Sequence, residues 1–182
     1  MLPQVEQVKK KKYDILYLTD YVDEFAIQIM QKYKEKEFKN ISDAETDFSS
    51  EKEKKALEKL NKENDEILKF MKEALGSEVV NVRLTDKLSN HPVCLTTEGE
   101  VSIEMQKVIN AMPTDEHIDA SLVLEINSKH KIVDKIKSLY ETDKEELKKY
   151  AKILYSEARL IEGLPVENPT EISSLIVDLI SR

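Results

Sequence analysis

The segment 143–162 constrains the fold of this chain more than any other. On a helical wheel at about 100° per residue, Leu147, Tyr150, Ala151, Leu154, Ala158 and Ile161 cluster on one side. Ile153, Tyr155 and Leu160 widen that side to an apolar arc of about 220°, against the roughly 100° stripe of an ordinary surface helix. One neighbouring element cannot cover such an arc. The next segment offers Ile172, Leu175, Ile176, Leu179 and Ile180 at helical spacing, enough for one face. The remainder must pack on the domain body or on another chain. A two-fold dimer through an intermolecular four-helix bundle would cover it. An intramolecular core would do so equally well.

Both helices carry strong end signals. Thr142-x-x-Glu145 reads as a capping box, and Gly163 as the stop. Asn168-Pro169-Thr170-Glu171 places a cap, a proline at the first helical position and an acid in the first turn. Upstream, 56–75 reads as a helix stopped by Gly76. Residues 79–85, 92–97 and 121–126 read as strands, with Val80, Val82 and Leu84 sharing a face in the first and Leu122, Leu124 and Ile126 alternating in the third. Helices are expected at 101–112 and 129–141. This part is α+β: a small mixed three-stranded sheet with flanking helices and a C-terminal helical hairpin.

The start of the chain reads differently. After a short helix over 3–12, the run Tyr13 to Leu18 has strand character, 21–36 reads as helix, and 38–41 as a weak second strand. A β-α-β unit of this size buries little, because parallel sheets need more strands and cover on both faces. Residues 1–42 are therefore expected to be the tail of a larger α/β domain whose earlier part is missing. The charged stretch 43–56 reads as a linker. The division expected is 1–48, then a linker and helix start over 49–60, then a domain over 61–182.

Composition narrows the function. With Gly76, Gly99 and Gly163 as the only glycines, no glycine-rich phosphate loop can form. The single Cys94 permits no intrachain disulfide and no multi-cysteine zinc site, and it reads as a buried structural thiol within a strand. His91, His117 and His130 lack metal-ligand spacing. Asp20, Asp23 and Glu24 read as first-turn acids that complement the helix dipole rather than as paired catalytic carboxylates. Residues 1–72 carry a net charge of −1 and 73–182 carry −7, so neither half is a basic nucleic-acid surface. No run is long enough to span a membrane and no secretory signal is visible, so a cytoplasmic location is expected. No catalytic, cofactor-binding or metal residues are identified. Val101, Met105, Val108, Ile109 and Met112 make one apolar, methionine-bearing face after a loop containing Gly99. Such faces adapt to varied partners, although periodicity alone favours packing on the sheet.

Several motifs resemble one family in the right order. Val82-Arg83-Leu84-Thr85 followed by Leu88, Pro92 and Thr96 resembles the opening strands of the C-terminal domain of the 90-kDa heat-shock chaperones. Leu124-Glu125-Ile126-Asn127-x-x-His130-x-x-Val133 resembles a further segment of that domain, with Ser128 where the family usually has proline. Tyr150 to Gly163 and Glu167-Asn168-Pro169 resemble its C-terminal hairpin, and Leu16 to Phe25 the end of the middle domain. The chain ends at Arg182 without an acidic tail, as in the bacterial type of the family. The resemblance implies the C-terminal part of an ATP-dependent, dimeric chaperone. ATP and magnesium would be bound upstream, so this fragment is expected to be no enzyme and to hold no cofactor. It implies a dimer interface on the hairpin 143–181 and client contact by the 101–112 helix at Val101, Met105, Val108 and Ile109. The partners expected are a second copy, non-native client proteins and co-chaperones, with neither nucleic acid nor membrane. A dimerising adaptor without client binding is the alternative, and a small enzyme a remote third.

Overall fold

Ser121–Asn127 (β5) is the centre of the molecule in the computed structural model, which describes residues 2–46, 48–113 and 117–181. It lies between Asn81–Thr85 (β3), to which it is parallel, and Val93–Glu98 (β4), to which it is antiparallel. The pairs Leu95–Leu124 and Val93–Ile126 fix which side chains share a face. That face meets Leu68, Met71 and Leu75 of Asp65–Leu75 (α4), Val133, Ile136 and Leu139 of Ile132–Thr142 (α6), and Leu147, Ala151, Leu154 and Ala158 of Lys144–Glu162 (α7). These residues form one continuous core. The other face, with Cys94, Thr96, Val123 and Glu125, is also buried, so β5 is covered on both sides.

The expected α+β class and the mixed three-stranded sheet are present. Gly76 and Gly163 end their helices with positive φ, 62° and 72°, where an L side chain is strained. Asn168 Oδ1 accepts from the Glu171 N–H at 3.2 Å, with Pro169 opening Pro169–Ile180 (α8). Four local expectations need correction. Thr142 does not cap: it is the last residue of α6, and Asp143 Oδ1 accepts from the Glu146 N–H at 2.9 Å instead. The helix over 56–75 is two helices, Glu51–Glu63 (α3) and α4, broken at Asn64. Val80 does not share the core face of Val82 and Leu84: it precedes β3 and is 47% exposed. The stretch over 43–56 is no free linker. Ala44 is buried, its N–H donates to Thr97 O at 2.9 Å, and Ser50 caps α3.

The largest correction concerns residues 1–42. Val5–Lys10 (α1) and Tyr21–Met30 (α2) form, but the parallel β-α-β unit does not. Residues 13–19 form no strand, and Leu16 and Tyr17 are 65% and 59% exposed. A strand exists only where a ladder satisfies its backbone, and no strand among the described residues pairs with this run. α2 stops at Gln31, whose φ of 55° breaks the helix. Instead of a strand at 38–41, Lys32–Tyr33 (β1) and Lys36–Glu37 (β2) make an antiparallel hairpin. Its turn residues Lys34 and Glu35 both have positive φ, the twist that suits a two-residue hairpin.

Candidate functional site

The structure divides the residues expected at a dimer interface into two sets. Leu147, Ala151, Leu154 and Ala158 are buried in the chain's own core, so half of the wide arc of α7 is covered from within. Tyr150 and Ile161 are half-buried, and Lys135 Nζ lies 5.7 Å from the Tyr150 ring centroid. α8 buries none of its residues. Ile172, Leu175 and Leu179 are half-covered by α7, while Ile176 is exposed and Ile180 is 78% exposed. Val177 and Leu160, outside the expected set, extend this exposed apolar strip. Leu160 was legible on the wheel as one of the residues that widen the apolar arc; Val177 flanks the regular spacing and carried no such signal. A four-helix bundle is not present within the one chain.

The second expected surface is Ile103–Ala111 (α5). Ser102 Oγ accepts from the Met105 N–H at 3.0 Å and donates to Glu24 Oε1 at 2.7 Å, so α2 is fastened to the start of α5. Gln28 Nε2 donates to Met105 Sδ at 2.9 Å. Val108 is buried together with Ile103, Val101, Met105 and Ile109 are half-buried, and Met112 is exposed. The face therefore points partly inward, as its periodicity allowed. Beside it lies a cleft of about 480 Å³, lined by Leu16, Leu18, Ile41 and Ile103 with the carboxylates of Glu24 and Glu162. Burial pushes the Glu162 carboxyl above the usual carboxylate range, although Gln4 Nε2 donates to it at 3.1 Å.

Sequence reasoning missed one constellation. Glu125, fully buried in β5, accepts through Oε1 from Arg83 Nε at 3.0 Å, Thr96 Oγ1 at 3.1 Å and Lys87 Nζ at 3.4 Å. Arg83 and Lys87 also donate to Ala44 O. Two cations thus clamp the docked segment 42–44 to the sheet, with Glu125 as their counter-charge. The signal was a single carboxylate inside the apolar run Leu122 to Ile126, because a charge there must be paired. Cys94 sits opposite Glu125, and burial raises its thiol well above the usual range, which leaves it unreactive. Among the described residues no group of three or more His, Cys, Asp or Glu side chains could hold a metal ion, and no helix is long and apolar enough to cross a membrane.

The sequence model of the family described as Hsp90 protein matches residues 1–182. The chain is 48% identical over 178 residues to the chaperone protein HtpG of Clostridium acetobutylicum, which covers 98% of this chain and 28% of that protein. It is 46% identical over 178 residues to HtpG of Clostridium perfringens strain 13, with the same coverage. HtpG of Halalkalibacterium halodurans is 47% identical over 173 residues, 95% of this chain and 28% of its own length. The chain thus spans less than a third of the length of these relatives. With a family match along its whole length and nearly half of its residues identical to each of them, it belongs to the Hsp90 family.

Proposed function

We propose that this chain is the C-terminal dimerisation and client-contact region of an ATP-dependent molecular chaperone of the cytoplasm. Residues 61–182 form the dimerisation domain, and residues 1–48 are the end of the preceding middle domain. ATP and magnesium are bound by parts of the longer protein outside this chain, which itself catalyses nothing. One observation carries the reading: α8 is a regular, capped helix that buries none of its apolar residues, in a chain of the Hsp90 family. Pairing α7 and α8 with a second copy would cover Leu160, Ile176, Val177 and Ile180. Dimerisation tethers two arms and raises their effective concentration for each other. The half-exposed apolar side chains of α5 offer weak, adaptable contact to non-native chains.

Sedimentation equilibrium tests it. The wild type is expected near about 42 kDa, twice 21.0 kDa, and a folded Ile176→Glu/Ile180→Glu variant near 21.0 kDa. A wild type that stays monomeric at tens of micromolar overturns the reading. The burial of Val108 and Ile103 favours one second reading, a dimerising adaptor without client contact. A dimeric wild type that does not suppress client aggregation selects the adaptor, and a folded Met105→Glu/Ile109→Glu variant that suppresses it as well as the wild type removes α5 as the contact surface.

A further inference from the structure

α8 rests on α7 only through the half-buried Ile172, Leu175 and Leu179 and buries no residue fully. Its direction therefore depends also on the connection from α7. Gly163 turns the chain, and the Leu164 N–H donates back to Arg159 O at 2.8 Å, with the Leu164 side chain buried. From the last turn of α7, Arg159 reaches over this connection. Its Nε donates to Pro165 O at 2.6 Å, and Nη1 donates to Tyr155 Oη at 2.8 Å and to Glu78 Oε2 at 3.4 Å. Glu167 lies 3.7 Å from the same nitrogen. Tyr155 Oη in turn donates to Glu78 Oε2 at 3.0 Å. The Arg159 side chain is only 12% exposed. It thereby ties the short turn after α4, which ends at Glu78, to the body of α7 and the loop before α8 through one planar fork. The other tie, Lys152 to Glu171 at 2.6 Å, joins two side chains each at least 40% exposed, a placement that adds little. A cleft of about 170 Å³ beside Val166, Asn168 and Ile172 leaves the loop without close apolar packing there.

We infer that Arg159 is a positioning residue for the α8 interface, holding Ile176, Val177 and Ile180 at the angle that a second copy meets. The inference rests on the dimer reading above. An interface held in place before association avoids the ordering cost at binding, so loosening it weakens association without unfolding the domain.

The test uses residues 1–182 as wild type, Arg159→Gln and Arg159→Lys. Lysine keeps the charge but cannot reach Pro165 O and Tyr155 Oη together. Both variants are expected to raise the dimer Kd by about tenfold or more. Amide exchange over 164–168 is expected to accelerate by a similar factor, while β5 exchange and the urea midpoint stay close to wild type. An unchanged Kd, or unchanged exchange over 164–168, overturns the inference. If the glutamine variant unfolds, the lysine variant decides. A monomeric wild type overturns the dimer reading instead, and the exchange arm then decides alone whether Arg159 pins the loop.

Discussion

Two short apolar runs have opposite fates. Residues 13–18, Tyr-Asp-Ile-Leu-Tyr-Leu, and residues 121–126, Ser-Leu-Val-Leu-Glu-Ile, both have strand character. The second becomes β5, paired on both edges and buried on both faces. The first joins no strand ladder among the described residues, with Tyr13, Leu16, Tyr17 and Leu18 exposed. Propensity does not separate them. β-type residues record a fit to a pleated, half-buried surface, and the surface must exist for the preference to act. β5 has β3 and β4 to either side and helices α4, α6 and α7 over one face. The run at 13–18 has the Phe48 ring against Tyr13 and an open cleft beside α5, but no strand among the described residues.

The largest loss is expected at Glu125, within β5. Glu125→Ala leaves Arg83 and Lys87 without their counter-charge and should cost about 3–5 kcal/mol in urea unfolding. A cost under about 1 kcal/mol would mean that the clamp on segment 42–44 is open in solution. Next comes Leu124→Ala, at the centre of the core, expected to cost about 2–5 kcal/mol through lost transfer energy and a residual cavity. The counterpart in the first run, Leu16→Ala, should cost less than about 0.5 kcal/mol, because the side chain is already mostly in water. A cost near that of Leu124→Ala would show that 13–18 finds a covering partner in solution.

Between the two regions stands Glu162, which ties α1 to the body through Gln4. Its carboxyl is raised mainly by burial. The folded state therefore holds this proton to a higher pH than the unfolded chain does. Stability falls as pH rises from the ordinary carboxylate range through the raised value. Glu162→Gln removes that contribution, so the variant should gain stability relative to wild type across this window. Unfolding free energies of both proteins measured at successive pH values check the sign; a constant difference would mean that Glu162 titrates normally. Asn168→Ala is expected to cost about 1 kcal/mol from loss of the cap on an exposed helix. It should appear as fraying of α8 and leave β5 untouched.

Helix ends were the most legible part of this fold. Asn168, Gly76 and Gly163 act where they stand, since a cap or a left-handed turn is a contract among residues within one helical turn. The cap at Thr142 failed by a single residue, because α6 runs on to Thr142 and leaves Asp143 to accept from Glu146. The alternation of Leu122, Leu124 and Ile126 also found its face. The exposed Ile176 and Ile180 of α8 were readable as an apolar stripe, but the stripe alone did not reveal how much of it α7 would cover.

The sequence by itself determined the α+β class, most element positions, the apolar faces of α7 and α8, and the family resemblance that the comparisons bear out. These rest on periodicity, local caps and motif order, each confined to a short stretch of chain. The packing of whole elements settled that 13–18 would join no ladder among the described residues, that Ala44 would dock on β4, that Glu125 would gather Arg83 and Lys87, and that Arg159 would join the turn after α4, α7 and the loop before α8. Each joins residues far apart in the chain or asks what is left uncovered, and such contacts depend on where whole elements come to rest against one another.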